Sequence, residues 1–322
     1  MKVLWRVVVV LMVLVAVVCL TFYFQPLWVN DQITRLHLRR DGVKSEYIEA
    51  GGYRIHYLEA PAVAGSANTP LVLVHGLGAR SEDWAAMIPS LAAHGFHVYA
   101  PDLPGYGRSS KPKDASYSIP MEEAAVVSFM QAMHVPRADV GGWSMGGWIA
   151  LKLAYDHPAL VDRLVVYDSA GTYFPATFGP ELFSPDDIAG VHRLLAALSP
   201  KPIDVPDFAA RAMVRKLQGN KWVIQRSLAA MIDGRDLMDF RLHLITEPTL
   251  IVWGSHDDLI PLSAGEAMHK GIPNSVLDVI QGCGHLAPAE CSRPVVEGTV
   301  EFLRAEPPMQ GGERTFAGAA AN

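Results

Sequence analysis

The sequence predicts an α/β fold, a mostly parallel central sheet with helices on both faces, an inserted helical cap and an apolar N-terminal helix. Three observations carry the prediction. Fully apolar runs at residues 71–74, 164–167 and 250–253 suit strands buried on both faces, as parallel sheets contain. Helix-period segments separate the earlier runs, which is how parallel strands are connected. A strand-like run at 138–141 passes into a helix-like run at 147–154 through Gly142-Trp143-Ser144-Met145-Gly146. Glycines bracketing a Ser at this spacing permit a tight strand-to-helix turn that lifts one hydroxyl off the sheet edge.

The 322 residues are 50% hydrophobic and 19% charged, enough apolar material for one large domain with an insertion. A formal net charge of -6 without a long basic run argues against nucleic acid as a partner. Three cysteines, Cys19, Cys283 and Cys291, make neither a disulfide framework nor a zinc site. Cys283 and Cys291 are read as two free thiols, with a pair between them as the alternative.

Residues 7–24 are almost uninterrupted apolar sequence behind Lys2 and Arg6. At ~1.5 Å per residue they cover roughly 27 Å, a hydrocarbon core's thickness. A cleaved signal would end in small residues, whereas this run ends in Phe22, Tyr23, Phe24 and Trp28. An uncleaved anchor over 1–29 is therefore expected, with Tyr23 and Trp28 as interfacial aromatics. Basic residues on both sides (Lys2 and Arg6; Arg35, Arg39, Arg40 and Lys44) leave its orientation open. Residues 30–46 read as a basic linker.

The globular part starts at Tyr47. Residues 47–50, Gly51-Gly52 and 53–58 read as a hairpin. Strands follow at 71–74 and 97–100, helices at 80–93 and 121–133, the strand before Ser144 and its helix, and a strand at 164–168. The first part of the core therefore spans 47–170. From Gly171 to His243 only helical pieces recur (185–198, 206–217, 221–232), punctuated by Pro and Gly. This is the expected cap. A second core part over 244–305 brings strands at 248–253 and 276–280 and a helix at 294–303. The tail over 306–322, rich in Pro, Gly and Ala, is expected to be disordered.

A Ser hydroxyl needs a base, and a His base needs an orienting carboxylate. After such a turn the chain order is Ser, acid, His. Asp257 and Asp258 follow the strand at 248–253, and His285 follows the strand at 276–280. The oxyanion donors are expected to be the N–H groups of Met145 and of Leu77, in His75-Gly76-Leu77-Gly78. Gly76 and Trp143, beside them, are assigned to substrate contact. His75 is read as a loop brace. No metal ligand set is found.

These segments resemble the α/β-hydrolase fold superfamily over roughly residues 47–304. The resemblance rests on the His75-Gly76 loop, Asp102-x-x-Gly105-x-Gly107-x-Ser109, the Ser144 pentapeptide, and the late pair Asp257-x-x-x-Pro261 and Gly284-His285. It implies that the acid lies three residues past Gly254, which selects Asp257 over Asp258, with Asp168 as the fallback. It also implies a Ser144-His285-Asp257 triad acting through an acyl-enzyme and requiring no cofactor. An anchor beside an apolar cap suggests a lipid-like ester or another small ester as substrate, the layout of membrane-anchored monoacylglycerol-lipase-like hydrolases. The alternatives are carbon–carbon bond hydrolysis, cofactor-free haloperoxidase chemistry and amide or peptide cleavage on the same triad. Two further rivals are a non-catalytic ligand sensor and a membrane-tethering module. The sequence leaves oligomeric state open.

Overall fold

A computed structural model of the chain describes residues 2–318; residues 319–322 of the expected tail lie outside the described residues. The first element, α1 (Lys2–Phe24), buries none of its 23 residues. At about 1.5 Å per residue it spans roughly 34 Å. By length and composition it is apolar enough to cross a membrane, as a signal sequence also is.

The expected linker is structured. α2 (Pro26–Arg40) starts on a proline, whose missing N–H costs nothing there, and ends on His37, Arg39 and Arg40, whose charge suits the carboxyl end of a helix. Its charges are tied to the core. Asp31 receives both terminal nitrogens of Arg80, and Arg35 Nε donates to Glu82 at 3.2 Å. Leu38 is buried. Composition alone reads such a segment as solvated, because its partners lie 47 and 49 residues away.

β1 (Lys44–Ala50) and β2 (Tyr53–Ala60) form the expected hairpin. Gly51 and Gly52 turn it at φ 58° and 81°, a region only glycine enters freely. The remaining strands are β3 (Thr69–Val74), β4 (Phe96–Pro101), β5 (Ala138–Trp143), β6 (Val161–Tyr167), β7 (Thr249–Gly254), β8 (Ser275–Gln281) and β9 (Glu313–Ala317). Their order is β1-β2-β4-β3-β5-β6-β7-β8-β9. β1–β2 and β2–β4 pair antiparallel, and every other pair is parallel.

Alternation along each strand divides the core in two. Val72, Val74, Val140, Leu164 and Val166 face one side, under α4 (Ile119–Ala132), α5 (Met145–Asp156) and α9 (Leu262–Gly271). Leu71, Leu73, Val165 and Tyr167 face the other, under α3 (Ile88–Ala93) and α10 (Ser292–Arg304). Between β6 and β7 run α6 (Ile188–Leu198), α7 (Asp207–Gly219) and α8 (Lys221–Ile232). Phe22 and Tyr23 of α1 meet Phe208 of α7, ring centroids 5.7 and 5.4 Å apart.

Three further expectations need correction. The helix expected over 80–93 is a single turn of 3-10 helix, Ser81–Trp84, followed by α3; Pro89 cannot donate into a continuous helix and suits a new start. α9 has no counterpart in the sequence reading, since two glycines dilute its periodicity. The tail is not wholly disordered. β9 extends the sheet in parallel beside β8, and Nε and Nη2 of Arg314 each donate to the buried Asp278 at 2.7 Å. Five residues among Pro, Gly and Ala are too few to register as a strand.

Candidate active site

The residues singled out for chemistry gather at the carboxyl ends of the parallel strands, where sheets of this class form ligand sites; Trp143 ends β5 and Met145 opens α5. Gly76 and Leu77 follow β3, Ser144 follows β5, Asp168 follows β6, Asp257 follows β7 and His285 follows β8.

Ser144 has φ 58° and ψ -120°, strained for a residue with a side chain. The neighbours that allow it must lack one. A β-carbon on Gly142 would land on the Gly146 carbonyl, and one on Gly146 on the carbonyl of Val74. Gly76 is pressed against the serine from the next strand. A β-carbon there would lie 3.1 Å from Ser144 Cβ and 3.6 Å from Oγ. Among the described residues the backbone N–H groups of Leu77 and Met145 donate to no acceptor. Met145 opens α5, where free N–H groups and the positive end of the helix dipole favour negative charge.

The buried His285 ring is held through Nδ1, 2.8 Å from Asp257 Oδ2. Asp257 Oδ1 accepts the backbone N–H groups of Leu259 and Ile260, each at 2.9 Å. An ionised carboxylate so placed requires the proton on Nδ1, which leaves Nε2 as an acceptor. Asp258 is exposed and takes no part. Ser144 and His285 line the same cavity, although no hydrogen bond joins them among the described residues. Such bonds commonly tighten only around substrate.

Asp168, the fallback acid, is fully buried beside this pair. Its Oδ1 accepts Gly254 N–H at 2.8 Å, while Oδ2 meets no donor. Burial, and then the Asp257 charge with which it is in hydrogen-bond contact, push its pKa well up. Asp168 is therefore a neutral acid, able to donate its O–H to Asp257.

Two more histidines are structural. His75 Nδ1–H donates to Gly76 O at 2.8 Å and Nε2 accepts Leu103 N–H at 3.0 Å. Burial lowers its pKa, so it stays neutral and braces the Leu77 loop. His56 Nδ1–H donates to Asp102 at 2.7 Å, and Asp102 also accepts the Ser81 and Arg108 amides. Burial raises the Asp102 pKa, but these donors outweigh it and hold the carboxyl below its usual range.

Two features escaped the sequence reading. Trp143 lines the cavity, and its indole N–H donates to the His285 carbonyl at 2.8 Å, across 142 residues. Cys283 and Cys291 form a disulfide around the His285 loop, so the expectation of two free thiols is corrected. The signal was present: the two cysteines bracket the histidine, and the third lies apart in α1. Among the described residues no group of three or more His, Cys, Asp or Glu is placed to hold a metal.

Two apolar cavities meet at Ser144. One of about 290 Å³ runs under Trp148, Phe174, Leu228 and Met231; one of about 410 Å³ runs under Leu194, Leu198, Met213 and Leu217 of the cap helices. Leu77, Phe183 and Leu259 line both. Neither wall includes Lys or Arg.

Residues 69–190 match the sequence profile of the alpha/beta hydrolase fold family. The chain is 32% identical over 251 residues to a 2-hydroxymuconate semialdehyde hydrolase of Pseudomonas sp. strain CF600, covering 74% of this chain and 87% of that protein. Among solved structures it resembles a bacterial membrane phospholipase A at TM-score 0.78 and 26% identity, over 94% of this chain and 98% of that one. A meta-cleavage product hydrolase from Pseudomonas fluorescens IP01 superposes at TM-score 0.72 and 25% identity, over 80% and 97% of the two chains.

Proposed function

Because the chain belongs to the alpha/beta hydrolase fold family, we propose that it is a serine hydrolase of carboxylic esters, acting on lipid-like acyl esters at a membrane surface. The observation that carries the reading is the strained Ser144, standing where two apolar cavities meet, with the Asp257-oriented His285 on the wall of the larger one.

In the proposed reaction His285 Nε2 takes the Ser144 Oγ proton as Oγ bonds to the ester carbonyl carbon. The developing oxyanion receives the unpaired N–H groups of Leu77 and Met145. His285 returns its proton to the leaving alkoxide, and the acyl group stays on Ser144. Water repeats the roles, giving its proton to His285 and its oxygen to the acyl carbon. Asp257 keeps Nδ1 protonated and stabilises the imidazolium.

Apolar walls on both sides of Ser144 suit an acyl chain and an apolar leaving group. α1 as a retained anchor fits its packing against α7, which a cleaved segment would forfeit. The disulfide suits a catalytic domain on the oxidising side of that membrane. The phospholipase neighbour aligns over 94% of this chain, a span that includes part or all of α1.

A second reading is hydrolysis of a carbon–carbon bond by the same triad. It is favoured by the 2-hydroxymuconate semialdehyde hydrolase of strain CF600. That substrate is an acid, whereas the cavities at Ser144 offer no cationic side chain.

The deciding experiment sets nitrophenyl esters of graded chain length and monoacylglycerols against 2-hydroxymuconate semialdehyde, with wild type beside Ser144→Ala. Ester turnover that falls about 10⁴-fold or more in the variant is expected. Turnover of the semialdehyde alone overturns the ester reading. Fluorophosphonate labelling that persists in Ser144→Ala overturns the choice of nucleophile.

A further inference from the structure

Beside the larger catalytic cavity lies a third one, of about 300 Å³, whose wall has a different character. It presents Arg80, Lys111 and Lys216, where the cavities at Ser144 present no Lys or Arg. The two spaces are neighbours. Gly78, Ala79, Asp83, Leu217 and Ile224 line both, and Gly78 directly follows the proposed oxyanion donor Leu77.

The charge on this wall is only partly compensated. Arg80 is committed to Asp31 and Glu82. Asp83 Oδ2 accepts the Arg80 backbone N–H at 2.9 Å, and burial raises its pKa to about 6. Lys111 Nζ donates to the carbonyls of Gly105 and Gly107, which carry no net charge. Among the described residues neither Lys111 nor Lys216 has a carboxylate within 4.0 Å. Loss of solvent lowers the pKa of both, against the pull of Asp102 at Lys111; at Lys216 Arg80 adds repulsion, and Asp31, Asp83 and Glu82 oppose it from farther off. Both ammonium groups are solvent-exposed at the rim of one cavity, from which they can converge on a bound anion.

Position identifies the anion. Lys216 is on α7, whose Phe208 rests on Phe22 and Tyr23 at the end of α1. Lys216 lies eight positions along α7 from Phe208, about 12 Å at ~1.5 Å per residue. A lipid drawn from that surface would bring its acyl ester to Ser144 with its polar end beside the lysines.

We propose that the Lys111–Lys216 cavity is a subsite for the phosphate of a glycerophospholipid headgroup, next to the acyl cavity at Ser144. The proposal rests on the ester-hydrolase reading.

The test uses the full chain in detergent micelles, with lysophosphatidylglycerol and the monoacylglycerol of the same acyl chain as paired substrates. Wild type is expected to prefer the lysophospholipid in kcat/KM. Lys111→Gln and Lys216→Gln are each expected to lower kcat/KM for it about 10-fold, mostly through KM, as one charge-assisted contact is lost. The loss on monoacylglycerol should be clearly smaller, and Lys216→Arg should restore the preference. Equal losses on both substrates, or none on either, overturn the subsite and leave the esterase standing. Inorganic phosphate that inhibits both substrates equally, without a lysophospholipid preference, marks a free-phosphate site and overturns the headgroup assignment. Failure of wild type to cleave any ester overturns both readings.

Discussion

Replacing Asp257 by Asn separates the two buried acids beside His285. Asp257 Oδ1 is fixed by two backbone donors, Leu259 and Ile260 N–H. An Asn there must keep its carbonyl oxygen on those donors, because two buried N–H groups would otherwise lose their acceptor. Its NH₂ then faces His285 Nδ1, where Oδ2 stood at 2.8 Å. A donor facing a donor drives the imidazole to the other tautomer, with the proton on Nε2. That nitrogen can no longer take the Ser144 proton. In the serine protease triad the equivalent change costs about 10⁴ in kcat, roughly 5 kcal/mol at about 1.36 kcal/mol per decade. Asp168→Asn replaces a neutral acid by a neutral amide of the same shape, and an amide NH can still donate to the Asp257 carboxylate. A loss of less than about tenfold is expected. The assay is kcat/KM on a nitrophenyl ester, with circular dichroism confirming the fold of each variant. If Asp257→Asn stays within tenfold while Asp168→Asn loses a thousandfold, the acids have been assigned in the wrong order.

Two further predictions concern stability. The Cys283–Cys291 bridge closes a loop with a sequence separation of 8 around His285, worth about 2.5 kcal/mol in the chain-entropy account. A reductant should lower the urea midpoint and ester turnover together, and thiol labelling of the unreduced, unfolded chain should modify Cys19 alone; label on all three cysteines refutes the bridge. Asp139 is 2% exposed, and burial followed by Asp162 repulsion raises its pKa to about 7, against the pull of Arg163. Its contribution to stability is therefore complete below the unfolded carboxylate range and is lost as pH rises through 7. Asp139→Asn should gain on wild type by up to about 4 kcal/mol between pH 4 and pH 8. Denaturant midpoints that differ by the same amount at both pH values refute this.

How legible each part was depends on the range of the physics behind it. The turn at Ser144 is written in five consecutive residues, because the glycines exclude collisions that are partly local. The Gly146 collision with Val74 already reaches another strand, yet the sequence marks it, since only one residue type fits. Order along the chain then placed Asp257 and His285 at strand ends. Trp143 shows where that stops. Its position beside the serine was plain, but its hydrogen bond to the His285 carbonyl joins residues 142 apart, and no local pattern encodes it. β9 and α2 fail for a related reason. Short or charged segments look solvated until their partners, Asp278 for one and Arg80 and Glu82 for the other, are in place.

α2 also alters what the N-terminal segment is for. A tether needs only length. Exposed ion pairs hold such a segment weakly, each worth about 0–1 kcal/mol. Glu82, however, is 4% exposed, and a buried carboxylate left unpaired is costly. It is surrounded by Arg35 at 3.2 Å, Arg108 at 2.9 Å and Arg80 at 3.5 Å. Arg80 in turn holds Asp31, and the backbone N–H of Arg108 binds the Asp102 that His56 also holds. Arg35 and Asp31 belong to α2, while Arg80 stands three residues beyond Leu77. The helix after the apolar segment therefore supplies charge that a buried group beside the oxyanion loop requires. α2 is part of the hydrolase core, and among the described residues one structured path runs from the apolar helix to the loop that carries Leu77.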